Sequence, residues 1–93
     1  MAVIVHVQSS EWTQQHYDRI LGEVMPGGRL IPGCLSHVAG PRPDGGWQVI
    51  DVWESPEAFQ QFAQQTLIPA AQRLGLPQIN APQIAEVHNF VKG

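Results

Sequence analysis

The stretch Gly46-Trp-Gln-Val-Ile-Asp-Val-Trp-Glu-Ser-Pro-Glu-Ala-Phe59 carries a strand, a turn and a helix start in one short run. Trp47 to Trp53 is aromatic and β-branched, which fits a pleated, half-buried strand. Ser55 can cap a helix with its hydroxyl, and Pro56 suits the first helical position because its missing N–H would be unpaired there anyway. Glu57 falls beside the positive end of the helix dipole. Phe59, Phe62, Ala63 and Thr66 then repeat on one helical face. Pro69 predicts a kink or restart, and Leu74-Gly75-Leu76-Pro77 a stop, with Gly75 as the left-handed residue and Leu76 as its apolar companion.

Outward from this core the pattern repeats. Ala2 to Val7 reads as a first strand. Ser9 or Ser10 is the expected cap of a helix over Trp12 to Val24, with acidic Glu11 beside its start. Tyr17, Ile20, Leu21 and Val24 form its apolar face. Met25 to Gly33 is rich in Gly and Pro and reads as a loop. Cys34 to Ala39 is a second strand, joined to Trp47–Trp53 by the turn-rich Gly40–Gly46. Ile84 to Val91 is the expected fourth strand. The order β-α-β-β-α-β predicts an α+β, ferredoxin-like domain spanning residues 1–93: an antiparallel sheet, strand order 4-1-3-2, with two helices on one face.

Composition bounds the function. Charged residues make up 14% of the 93 residues, against about 25% in ordinary soluble domains. A chain this short with few charges gains stability by covering itself with a partner. Val3, Val5 and Val7 are the expected apolar face left bare by the helices, and so the expected dimer contact. The net charge is −3 and the five basic residues are scattered, so nothing marks a nucleic-acid binder. No segment reaches the roughly 18 apolar residues of a membrane span. The amino-terminal run has no basic region or cleavage signal, and a cytoplasmic location is expected. Cys34 is the only cysteine, which excludes a disulfide framework and a thiolate zinc cluster, and no His spacing suggests a metal site.

On Trp53-Glu54-Ser55 and the element order, the chain resembles the dimeric α/β-barrel superfamily, in its antibiotic-biosynthesis-monooxygenase-like branch. The resemblance implies a homodimer whose sheets form a barrel, with a small-molecule pocket between each sheet and its own helices. The superfamily hosts cofactor-free monooxygenases, haem-degrading enzymes, cyclases and isomerases, so fold does not choose the reaction. The haem-degrading branch has a first-strand Asn where His6 falls, a second-helix Trp where Phe62 stands, and a haem-ligating His near Ala70 and Ala71. These departures predict no haem, and no cofactor is expected. The polyketide cyclase branch shares a first-strand His but has a second His late in the second helix, which Glu57–Leu74 lacks.

Chemistry is expected from His6, Asp51 and His37. Asp51 is a polar exception in an apolar strand, and a buried carboxylate requires a partner. His6 shares the parity of Ile4. If the valines face a partner sheet, His6 faces the helices, where a His6–Asp51 pair would make a general base. His88, Trp53, Trp47, Tyr17 and Phe62 are the expected substrate-binding residues, the two tryptophans sharing one strand face as an aromatic wall. His16 is expected at the surface. The function expected is a small cofactor-independent enzyme of monooxygenase, cyclase or isomerase type, acting on an enolisable, aromatic or polyketide-like molecule. The alternative is a non-catalytic small-molecule-binding or stress-associated dimer.

Overall fold

The computed structural model describes residues Met1–Gly93. In chain order it contains β1 (Val3–Ser9), α1 (Gln14–Val24), β2 (Cys34–Pro41), β3 (Trp47–Trp53), α2 (Pro56–Phe62), α3 (Ile68–Arg73) and β4 (Gln83–Glu86). The four strands form one sheet in the order β2-β3-β1-β4, antiparallel at every pair. This is the expected α+β, ferredoxin-like βαββαβ arrangement, with the helices against one sheet face.

The second helical run follows its signals closely. Ser55 Oγ accepts from the Ala58 N–H, and Pro56 stands at the first helical position. Pro69 acts upstream of itself. A proline ring clashes with the carbonyl four residues earlier and cannot donate to it. Between α2 and α3 the chain widens into a π-helical turn, Ala63–Leu67, closed by the Ile68 N–H on the Ala63 carbonyl. That turn opens the ladder where the proline would collide. It also moves the apolar stripe on to Leu67, Ala70 and Ala71, and leaves Thr66 exposed. The run ends in a Schellman motif: Gly75 has φ +68°, Leu76 N–H bonds Ala71 O at 3.0 Å, and Gly75 N–H bonds Gln72 O at 3.1 Å.

Three expectations about the elements are corrected. The cap of α1 is Thr13, not Ser9 or Ser10. Its hydroxyl accepts from the His16 N–H, while His16 Nδ1 accepts from the Thr13 N–H. Ser9 is still in β1, paired with Trp47. The fourth strand is Gln83–Glu86 rather than Ile84–Val91. In its register Val3 lies opposite Glu86, and the Val87 N–H bonds the Ala2 carbonyl at 3.0 Å just past the strand's end.

The third correction is the sheet face. Val3 and Val5 are buried at 3% and 0%, packed with Cys34, Trp53 and Phe59 beneath the helices, and Val7 packs against the same cluster. The other face carries Ile4, Val38 and Ile50, all exposed. The strand is apolar on both sides, and its purely apolar side goes where burial is complete within one chain. Each such buried side chain contributes about 1.5–3 kcal/mol. A second cluster, Trp12, Ile20 and Ala70, joins α1 to α3.

Candidate functional site

Parity along the strands decides which side chains meet. Trp47, Asp51 and Trp53 alternate onto the helix-facing side of β3. On β2 a bulge between Cys34 and Ser36 shifts the register by one residue, so that His37 lies opposite Asp51 and faces the same way. From α1, Tyr17, one turn before Ile20, reaches down to His37.

The result is a continuous polar chain in an apolar interior. Trp53 Nε1 donates to Asp51 Oδ2 at 3.1 Å. Asp51 Oδ1 lies 2.7 Å from His37 Nδ1. His37 Nε2 lies 2.5 Å from the Tyr17 hydroxyl. Asp51 is buried at 7% exposure, and both its oxygens are engaged. The carboxylate holds the proton on Nδ1, which leaves Nε2 to accept from the tyrosine. Tyr17 also stacks on His37, with ring centroids 5.9 Å apart and planes 10° from parallel. Burial raises the Tyr17 pKa above the ordinary phenol value, and the charges of Asp51 and Asp18 push it the same way. The phenol therefore keeps its proton at neutral pH.

This chain forms part of the wall of an apolar cavity of about 80 Å³ between sheet and helices. Trp12, Tyr17, His37, Trp47, Asp51 and Phe62 are among the residues that line it. Trp47 packs on Tyr17 at 5.4 Å, and its indole N–H is buried without a hydrogen-bond partner. Phe62 stacks on Trp53 at 5.4 Å.

His6 is elsewhere. It projects from the opposite sheet face, where Nε2 contacts Gln48 Oε1 at 3.2 Å, and the expected His6–Asp51 pair does not form. Its partner there is the side chain of the neighbouring strand. His88 is exposed beyond the end of β4, away from the cavity. Of the eight expected site residues, Asp51, His37, Trp53, Trp47, Tyr17 and Phe62 come together, and His6 and His88 do not join them. Trp12 belongs to the cavity wall as well, although its sequence position reads only as a helix start. Its indole N–H donates to Pro77 O at 2.7 Å, a contact between distant segments that local pattern cannot reveal.

This chain has the ferredoxin-like fold of the antibiotic-biosynthesis-monooxygenase-like proteins. A putative antibiotic biosynthesis monooxygenase from Chloroflexus aurantiacus J-10-fl superposes with a TM-score of 0.66 at 20% identity, each chain covered completely. SnoaB, a cofactor-independent oxygenase from Streptomyces nogalater, solved as a mutant, superposes with a TM-score of 0.60 at 17% identity, covering 99% of this chain and 97% of its own. A putative antibiotic biosynthesis monooxygenase from Deinococcus radiodurans gives 0.56 at 15% identity, with the same coverage. No protein-family model matches the chain, and no curated protein matches it. No helix is long and apolar enough to cross a membrane.

Proposed function

We propose that this protein is a cofactor-independent oxygenase acting on an enolisable or phenolic small molecule, and that it works as a homodimer. The observation that carries the reading is the Tyr17–His37–Asp51 chain at the wall of an apolar cavity. In such surroundings a proton relay is strengthened because water does not compete for its groups.

In this reading the substrate's acidic proton passes to the Tyr17 oxygen as the Tyr17 proton passes to His37 Nε2. The imidazolium so formed is stabilised by Asp51, and the substrate is left as an enolate or phenolate. Dioxygen, the co-substrate, accepts the carbanion's electron pair in a new C–O bond. The resulting peroxide anion takes the proton back from the relay, and loss of water from the hydroperoxide leaves a carbonyl. The unpartnered Trp47 N–H beside the cavity supports a ligand that brings an acceptor oxygen, since a buried orphan donor costs about 1–3 kcal/mol.

The homodimer would use the outer sheet face, where Ile4, Val38 and Ile50 stand exposed. A second reading, a binding protein without turnover, is favoured by one feature: every polar side-chain atom from Tyr17 to Trp53 along the chain already has a partner within it. Dioxygen uptake with anthrone and 1,3-dicarbonyl substrates separates the two. The oxygenase reading expects uptake that falls about 10²–10⁴-fold in His37→Ala. Ligand binding with no uptake by any of these substrates would leave the binding protein.

A further inference from the structure

The inner cavity is too small for the substrates its chemistry suits. At about 80 Å³ it is about half the size of an apolar cavity of about 150 Å³ that takes up one benzene ring. A second space lies directly beside it. It is about 430 Å³ in volume, between α3 and the loop that follows it, and is lined by Ile68, Ala71, Gln72, Leu76, Pro77 and Gln78. That volume is within the usual range of ligand pockets, about 300–1,000 Å³. Trp12, Leu67 and Ile79 line both spaces and form the wall they share.

The shared wall is a built feature. Trp12 is buried and bonded to Pro77 O. The loop is tied at its two ends by Leu76 N–H on Ala71 O at 3.0 Å and Asn80 N–H on Gln8 O at 3.2 Å. The π-helical turn swings Leu67 into this position.

We infer that the outer space is a second ligand compartment, which takes the apolar body of a substrate whose small enolisable head reaches Tyr17 past the shared Trp12–Leu67–Ile79 wall. The substrate class is thus narrowed from a compact aromatic to an elongated molecule: an alkyl chain or ring system ending in a 1,3-dicarbonyl or similar head. This rests on the proposed role of Tyr17 and His37 for the head, and on the two volumes and their shared wall for the body.

The test is calorimetric binding of acetylacetone and homologues in which one methyl is replaced by butyl or octyl. Affinity should rise by up to about fourfold per methylene, the value of burying one such group, until the compartment is full. Gln72→Trp, which fills the outer space from an exposed position, and Ile68→Glu, which charges its exposed rim, should abolish that rise. Gln60→Trp, exposed on α2 outside both spaces, should leave it intact. A flat response to chain length, a rise that survives in both variants, or no binding by any homologue would overturn the compartment. Tyr17→Phe tests the other reading. Should head binding ignore Tyr17 while the chain-length gain persists, the proton relay fails and the compartment stands.

Discussion

His37 Nδ1 stands 2.7 Å from Asp51 Oδ1, across the register pair that joins β2 to β3. Neither partner is dispensable, because Asp51 also accepts from Trp53 Nε1. In Asp51→Leu, the His37 and Trp53 donors would both be left buried and unpaired, at about 1–3 kcal/mol each. In His37→Phe, one Asp51 oxygen and the Tyr17 hydroxyl lose their partner, but Asp51 keeps Trp53 and the half-buried phenol can turn to water. Urea unfolding should therefore rank Asp51→Leu well below His37→Phe, and the double variant should be more stable than additivity predicts. Additive losses would mean that the two side chains act independently.

Gly46 marks where the β2–β3 connection crosses the end of β1. Its φ is +91°, and a Cβ there would overlap the Ser9 carbonyl oxygen and the Ser10 backbone. Both the left-handed conformation and the close approach require glycine. Gly46→Ala should destabilise by more than about 1 kcal/mol. Gly45→Ala, at φ +99° but with open space around it, should cost less. Chemical denaturation of the two variants side by side checks the order.

Cys34 is buried, its thiol donating to Ser36 O at 3.3 Å. Burial, reinforced by the Asp51 charge, pushes its pKa from 9.0 up to about 12. The thiolate is the reactive form, so native Cys34 should resist iodoacetamide at pH 8 and react once the chain is unfolded in urea. Linkage gives a second consequence. Above pH 9 the unfolded chain loses this proton while the folded chain keeps it, so stability is full below pH 9 and declines as pH rises toward 12. The raised Tyr17 acts in the same direction above pH 10. Cys34→Ala should flatten part of that alkaline decline, and an unchanged slope would count against the assignment.

Strand and helix order were readable because each boundary carries its own chemistry, such as Ser55-Pro56 at one helix start and Gly75-Leu76 at the end of the run. Tyr17, His37, Trp47, Asp51 and Phe62 of the cavity wall were readable too, as polar or aromatic side chains in apolar elements. Their pairing was not. Counting by twos from Cys34, which faces the helices, turns His37 outward, and the bulge after Cys34 reverses that count. Nothing in Cys-Leu-Ser-His announces a bulge. On β1 both parities are apolar at the first positions, and the choice between Val3 and Ile4 is made by Phe59 and Trp53 on distant segments. The expectation that His6 faces the helices fails at that one step, since a one-residue change of parity moves every side chain across the sheet.

The outer sheet face bears on assembly. Val38 and Ile50 are register partners on β2 and β3, exposed at 62% and 40%, with Ile4 beside them at 38%. A stable pair of chains needs about 800 Å² from each partner, a modest part of the 6016 Å² surface of one chain. If this face is the contact, Val38→Lys with Ile50→Lys sets like charges opposite each other and against the second copy, where burying an unpaired charge is costly. Because both side chains are exposed in the single chain, circular dichroism should report an intact fold while light scattering reports a monomer. The wild-type chain should scatter as a dimer at micromolar concentration. A wild-type monomer, or a double-lysine variant that still dimerises, would remove this face from the assembly, and His6, bonded to Gln48 on the same face, would then be a solvent-facing residue rather than part of a seam.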